Sequence, residues 1–359
     1  MKKPKVLLDC DDVLFCSNET ALNEINKLHG TDYTLEDLSM WGLTGDSIID
    51  SRLKMFTDPE FVKTQPLYPG AKQFVKELSE IADICYCTAV PPECMTVRAQ
   101  RIIEDFGAKS SQIIIASDKS SIKADYQLDD CAENILKSIV KYPVLFRRPW
   151  NYTVSGVTSV SKYEDFLCFV RYTNGRTPVT NIAPNSIVCL VGPSGSGKNE
   201  IADEACRTLG FKRLATTTTC NGQNSGNNRY EHITRDEFFR RRENGDFIET
   251  TVYGGEHYGV MKSTLDDFAD GEYTAIVPMD MCGAMAVKNL YPERTVTVFV
   301  EKDKYALVNE ILDKKIPQKE KIIRLLGIDN EIANKQFCDF TVSAFIELQS
   351  IMLQEKRLV

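Results

Sequence analysis

The 359-residue chain has no apolar stretch approaching the ~20 residues that a membrane-spanning helix needs. No membrane partner is therefore expected. No secretory leader is expected. Met1-Lys2-Lys3-Pro4-Lys5 is basic, but the next apolar run, Val6 to Leu8, is short and ends in acids, which reads as a strand. Twelve cysteines are present without a disulfide framework. Cys85 and Cys87 stand one residue apart on an expected strand, so their side chains point to opposite faces. They read as reduced thiols of a cytoplasmic protein. Neither half of the chain is basic. The net charge is −8, with 21 basic against 25 acidic residues up to residue 180 and 22 against 26 beyond it. Nucleic acid is thus not expected as the main partner. There is no internal repeat and no low-complexity tract. What is present, with 43% hydrophobic residues, is a globular chain long enough for two domains.

Apolar β-type runs alternate with helical patterns. Lys5–Asp9, Ile84–Thr88, Gln112–Ser117, Tyr126–Asp129 and Pro143–Phe146 read as strands. Ala71–Ile81 reads as an amphipathic helix with Phe74, Val75 and Leu78 on one face. Such alternation predicts an α/β fold with parallel, doubly wound sheets. Residues 15–69 are helical in pattern and interrupt the first strand-to-strand connection, as an inserted cap would. Asn174-Gly175-Arg176-Thr177-Pro178 and Ala183-Pro184-Asn185 give a turn-rich connection. The expected domains are therefore 1–172 and 186–359, with a linker at 173–185.

Two phosphate-handling signatures stand at strand ends. The first is Asp9-Cys10-Asp11-Asp12, after Val6-Leu7-Leu8. In open parallel sheets the C-terminal strand ends form the ligand crevice. One carboxylate there can attack phosphorus, and a second, two residues on, can protonate the leaving oxygen and then activate water. Carboxylates at such a place also attract Mg²⁺. Acids after a strand also commonly cap a helix. Three later strand ends add Thr88, Lys119 and the pair Asp129-Asp130.

The order Asp-x-Asp, Thr, Lys, Asp-Asp resembles the haloacid dehalogenase phosphatase superfamily. More narrowly, it is similar to the 5′(3′)-deoxyribonucleotidases, with Pro66-Leu67-Tyr68-Pro69-Gly70-Ala71 and Arg148-Pro149-Trp150-Asn151 as supporting context. The resemblance implies that Asp9 is the nucleophile and Asp11 the general acid/base. It implies that Thr88 and Lys119 hold the transferring phosphoryl group, and that Asp9, Asp11, Asp129 and Asp130 serve Mg²⁺, Asp129 directly and Asp130 in support. Phe15 and Trp41 are candidates to stack on a base, and Trp41 reads equally as cap core. Asp12 departs from the glycine usual in the superfamily, and Ala89 from a second hydroxyl.

The second signature is Gly192-Pro193-Ser194-Gly195-Ser196-Gly197-Lys198, after the apolar run Ile187–Val191. Glycines let backbone N–H groups turn inward around phosphates. The helix expected at Asn199–Leu209 adds a favourable N-terminal dipole. Gly192, Ser194, Gly195, Ser196, Gly197 and Lys198 are thus expected to bind ATP, with Lys198 bridging its β- and γ-phosphates. Asn199 replaces the usual hydroxyl residue and offers Mg²⁺ only an amide oxygen.

Downstream, Thr216–Thr219, Tyr230 with Ile233–Phe238, Gly245–Glu249, Tyr258-Gly259 and Met279–Ala284 resemble guanylate kinases. The resemblance implies an acceptor nucleotide held by Thr217, Tyr230, Glu249, Tyr258 and Asp280. Where the family has two phosphate-holding arginines this chain has Cys220 and Gln223. Asn224 stands near a base-reading glutamate, and Val260 replaces a hydroxyl residue. A thiol or an amide does not replace a bidentate guanidinium. Arg229 is a candidate for the lost cation, or an exposed charge. Arg240-Arg241-Arg242 and Lys314-Lys315 read first as solvated helix faces. Lys314 or Lys315, with Arg324, could alternatively close over the donor as a lid.

The expectation is a Mg²⁺-dependent nucleoside monophosphate phosphatase joined to an ATP-dependent nucleoside monophosphate kinase of altered acceptor choice, acting on small-molecule nucleotides. The alternatives are a phosphatase carrying a non-catalytic nucleotide-sensing domain, and a nucleic-acid end-healing enzyme.

Overall fold

The structure is a computed structural model and describes residues 3–38, 40–154, 157–175, 179–220, 229–253, 256–269, 273–316 and 318–353. Gln223 and Asn224 lie outside the described residues, as do residues 176–178 of the expected linker. The chain divides into two compact units, one built from residues 1–152 and 159–174, the other from 153–158 and 175–359.

The first unit is built on six parallel strands, β1 (Lys5–Leu8), β2 (Asp83–Thr88), β3 (Ile113–Ile115), β4 (Tyr126–Asp129), β5 (Tyr142–Phe146) and β6 (Ser159–Val160). Their order is β3-β2-β1-β4-β5-β6. Val6, Leu7 and Leu8 are all but completely buried. A strand covered on both faces needs such a continuous apolar run rather than an alternating one. With β1 between β2 and β4, Asp9 stands beside the ends of both neighbours. The helix Ala71–Ile81 forms as expected, burying Phe74, Val75 and Leu78.

Between β1 and that helix lie the helices Ser17–His29, Ser47–Asp50, Arg52–Met55 and Pro59–Thr64. Arg52 pins this cap. It is fully buried and donates to Asn18 Oδ1 (3.0 Å) and to the carbonyls of Trp41 and Gly42 (both 2.7 Å). Leu22, Leu38, Ile49 and Trp150 pack together beneath it.

The second unit holds the parallel sheet β15-β14-β7-β13-β8, made of β7 (Ile187–Val191), β8 (Lys212–Arg213), β13 (Ala275–Pro278), β14 (Thr295–Val300) and β15 (Phe340–Val342). A separate mixed sheet runs β10-β9-β12-β11, from β9 (Thr216–Thr218), β10 (Tyr230–His232), β11 (Phe247–Tyr253) and β12 (Glu256–Met261). Parallel order therefore covers the nucleotide-loop core but not this smaller sheet, where β12 runs antiparallel to β9 and β11. The turn-rich stretch starts later than its composition suggests. The helix Tyr163–Gly175 runs to Gly175, and Ile182 is fully buried in the second unit's core with Val188, Leu190 and Val298. No helix among the described residues is long and apolar enough to cross a membrane. All twelve cysteines are free thiols.

Candidate active sites at the strand ends

Asp9 follows β1 and is buried, 2.6 Å from Lys119 Nζ. The same ammonium donates to Asp129 Oδ2 at 2.8 Å. Asp9, Asp129 and Asp130 each offer an oxygen, all within 4.8 Å of one another. Burial pushes the Asp9 carboxyl up to about 7, with Lys119 opposing and Asp129 and Asp11 reinforcing. Burial likewise holds Asp130 well above the usual carboxylate range, with Asp9 next among the causes. One lysine does not balance three buried carboxylates, so the donor set and its charge fit a divalent cation.

The two neighbouring acids differ in what is left to offer. Asp129 accepts from Lys119, Gln127 Nε2 (3.3 Å), the Cys131 N–H (2.9 Å) and Asn134 Nδ2 (3.1 Å). Asp130 accepts one side-chain bond, from Trp150 Nε1 at 2.9 Å. Asp129 is thus the more heavily bonded of the two and is held against Lys119, while Asp130 meets fewer donors; both stand with Asp9 in the cluster that could hold a cation. Asp11 is corrected as a side-chain ligand. Its carboxylate turns away to Arg98 Nη2 (2.6 Å), Ser17 Oγ (2.6 Å) and Thr88 Oγ1 (3.1 Å).

Arg98 was not singled out from the sequence. It is fully buried, shares Nη2 between Asp11 and Gln65 Oε1 (2.6 Å), and lies 4.2 Å over the Phe15 ring. Phe15 is itself completely buried, edge-on to Phe106 at 6.0 Å. Its ring is thus closed to a nucleotide base and instead carries Arg98. Trp41 is 42% exposed, so its ring remains open to a ligand and is not cap core.

Asp12 occupies a left-handed conformation, φ +54°, which explains why glycine is usual there. Its carboxylate points to Asn18, accepting from the backbone N–H (2.9 Å) and Nδ2 (2.5 Å). Short polar side chains tolerate this region when locally bonded.

In the second unit the loop after β7 turns on Gly192, Gly195 and Gly197, all at positive φ. A Cβ on Gly192 would stand 2.6 Å from the Val300 carbonyl, so the backbone approach needs glycine. Lys198 begins the helix Lys198–Leu209, and its Nζ donates to the Gly192 (2.6 Å) and Pro193 (2.8 Å) carbonyls. Ser196 Oγ is buried without a hydrogen-bond partner. The Ser194 N–H donates to Glu331 Oε2 at 3.3 Å, a carboxylate that burial pushes up beside Lys198. Nothing in the sequence pattern pointed to Glu331.

Of the lid candidates, Lys314 Nζ (3.2 Å) and Arg324 Nη1 (3.5 Å) reach Ser194 Oγ, while Lys315 is exposed and is not brought to the loop. The Asn199 amide oxygen, the candidate metal ligand of this loop, accepts from the Arg213 guanidinium.

Register sorts the acceptor candidates. Tyr230 pairs with Thr216 and Tyr258 with Thr218, while Glu249 pairs with Val260. With a period of two, Thr216, Thr218, Tyr230, Tyr258, Glu249 and Val260 share one face. The Tyr230 and Tyr258 rings lie 6.2 Å apart. Thr217 faces the other way, buried and bonded to Glu231 (2.9 Å), so it is corrected as an acceptor contact. Glu249 is buried, with its carboxyl carbon 3.1 Å from where a Cβ on Gly283 would stand. Asp280 caps that same helix, Met281–Leu290, through the Gly283 N–H (2.7 Å). Arg229 is not a free charge but pairs with Asp203.

Residues 3–172 match the family described as 5′ nucleotidase, deoxy (Pyrimidine), cytosolic type C protein, and residues 185–342 match guanylate kinase. The guanylate kinase of Thermotoga maritima is 30% identical over 156 residues, covering 43% of this chain and 73% of that protein. That of Carboxydothermus hydrogenoformans is 29% identical over 181 residues, covering 47% and 88%. The crystal structure of guanylate kinase from Anaplasma phagocytophilum aligns at 20% identity over 50% of this chain and 88% of that one, with a TM-score of 0.38. Through its second half the chain belongs to the guanylate kinase family, joined in one polypeptide to a first half that matches the 5′ nucleotidase, deoxy family.

Proposed function

We propose that the chain runs two nucleotide reactions of opposite sense. The first unit removes phosphate from a (deoxy)nucleoside monophosphate, and the second transfers the γ-phosphoryl group of ATP to a nucleoside monophosphate of different identity. The observation that carries the reading is the buried Asp9–Lys119 contact of 2.6 Å within the Asp9, Asp129 and Asp130 cluster at one strand-end crevice, with Asp11 near enough to act on the Asp9 charge.

In the first reaction an Asp9 oxygen attacks phosphorus and the P–O bond to the nucleoside breaks. Asp11 gives its proton to the departing oxygen, leaving an aspartyl phosphate. Water then attacks that phosphorus, returning a proton to Asp11 and releasing inorganic phosphate with Asp9 restored. Lys119, held by Asp129, faces the phosphoryl oxygens together with Thr88. A Mg²⁺ ion on Asp9 and Asp130 would supply charge neutralisation for the phosphate.

In the second reaction the glycine loop and Lys198 hold the donor phosphates, and Lys314 and Arg324 approach from the lid side. Dephosphorylating and rephosphorylating one nucleotide would only consume ATP, so the two units select different ones. The changed acceptor positions Cys220 and Val260 support this separation.

A second reading, nucleotide sensing without transfer, is favoured by one observation: the Asn199 amide oxygen is taken by Arg213. A panel of ribo- and deoxynucleoside monophosphates, assayed with and without ATP and Mg²⁺, decides between them. Two disjoint substrate sets are expected. Phosphorylation and dephosphorylation of the same nucleotide with comparable efficiency would refute the division. ATP binding with no acceptor turned over would establish sensing.

A further inference from the structure

We propose that Arg213 and Arg229 together form the clamp for the acceptor's phosphate in the second unit. The inference rests on the kinase reading of this unit and names the residues that its acceptor site needs.

From Leu214 through Asn228 the sequence contains no charged residue. The segment carrying Cys220 therefore has nothing with which to neutralise a phosphate dianion. The donor side keeps its own cations, since Lys314 and Arg324 are directed at Ser194 and Lys198 at the loop carbonyls. Arg241, on the other face of the small sheet, is paired with Glu231 and Glu237.

Arg213 and Arg229 bracket the uncharged stretch, one at the end of β8 and the other just before β10. The fold brings them to a single carboxylate. Arg213 Nη1 lies 2.7 Å from Asp203 Oδ1, and Arg229 Nη2 pairs with Asp203 Oδ2. Two guanidinium groups on one carboxylate leave a positive charge uncompensated. Asp203 is one turn beyond Asn199 on the helix after the donor loop, so this charge stands beside the first turn after Lys198.

Two further observations point to a ligand. The Arg213 side chain is 9% exposed, and its Nε–H is buried with no partner. A buried unused donor is costly unless a ligand takes it. Arg229 and Asp203 are more open, at 30% and 36%, which leaves an approach from solvent. Tyr230, adjoining Arg229, is near enough to act on the Arg213 charge, and it shares its sheet face with Tyr258. Paired guanidiniums beside the Tyr230 phenol suit a phosphate monoester, which takes parallel N–H bonds on two oxygens.

The test is steady-state kinetics of the full chain with the best acceptor from the monophosphate panel. Arg213→Gln with Arg229→Gln should raise the acceptor KM by about 100-fold, the scale expected when charge-assisted bonds to phosphate are lost, while the KM for ATP stays within about twofold. Arg229→Gln alone, at the more exposed position, should raise it about tenfold without loss of folding. Lysine at both positions should recover part of the loss, because charge returns but the fork does not. An unchanged acceptor KM in both the single and double variants would overturn the clamp, as would a lowered melting temperature as the only effect.

If the native chain phosphorylates no monophosphate, the kinase reading fails on its own. The clamp is then read by equilibrium dialysis in the Asp9→Asn chain. Two monophosphate sites, falling to one in the double arginine variant, support it; an unchanged number of sites refutes it.

Discussion

Replacing Arg98 by methionine separates positioning from bulk packing in the first unit. The guanidinium makes two 2.6 Å contacts, to Asp11 and to Gln65, and stacks on Phe15. Methionine fills much of the same volume, so the packing penalty stays below about 1.5 kcal/mol. The electrostatic loss is larger. Removing one partner of a buried pair costs about 3–5 kcal/mol. Asp11 is 20% exposed, so water compensates part of that and the lower end applies, about 3 kcal/mol. At about 2–4 °C per kcal/mol, the melting temperature of this unit should fall by about 6–12 °C. Asp11 would still be held by Ser17 and Thr88, though less tightly. A displacement of the acid/base group on that scale should lower kcat by up to about 100-fold, with KM changed by less than about threefold. Arg98→Lys should recover the charge but not the fork and stack, landing between the two. The assay is phosphate release from the preferred monophosphate, read beside thermal unfolding of the same preparations. A kcat within twofold of the native chain would refute the claim that Arg98 positions Asp11, whatever happened to stability.

Asp9→Asn should abolish phosphate release and leave ATP binding intact; hydrolysis persisting in that variant would reject Asp9 as nucleophile. Lys198→Ala should eliminate ATP-dependent transfer, and transfer that survives would show that the donor sits elsewhere. Asp12→Gly relieves about 1 kcal/mol of left-handed strain but forfeits two buried bonds to Asn18, so a net destabilisation of about 1–2 kcal/mol is expected by denaturant unfolding. A more stable glycine variant would contradict this. His257 is packed against Phe238 and Phe239, and burial lowers it to about 4, with Arg235 and Arg242 adding to the shift. The unfolded imidazole takes its proton near the ordinary 6.5, so the stability it protects is complete above that pH and is lost as the pH falls toward 4. About 2 kcal/mol should disappear between pH 7 and pH 5 in the second unit, and His257→Phe should remove that slope. An identical acid dependence in the variant would sink the assignment.

Much of the frame was legible because it rests on patterns that need no long-range partner. Val6-Leu7-Leu8 and Ile187–Val191 are continuous apolar runs, and a strand buried on both faces admits little else. The residues just after each run, acids in one case and glycines with Lys198 in the other, then fall at the ligand edge of a parallel sheet. The parts that could not be read are polar residues whose meaning depends on a partner far along the chain. Arg98 is a charge in the first turn of the helix Met95–Phe106 until Phe15 and Asp11 are placed against it, eighty-odd residues away. Phe15, an aromatic just after the strand-end acids, invites a ligand role that only its burial removes. Four successive threonines carry no alternation of character, so nothing local says which of them share a face with Tyr230 and Tyr258. The pairings Tyr230–Thr216 and Tyr258–Thr218 decide it, and a slip of one residue would have exchanged the faces. Asp129 and Asp130 differ by one position and not at all in chemistry. Lys119, Gln127 and Asn134 converge on the first, while the second accepts from Trp150. The same logic ties Asn199 to Arg213: the loop's odd residue meets an arginine fourteen positions on, which also pairs with Asp203 and stands just ahead of the uncharged stretch from Leu214 to Asn228.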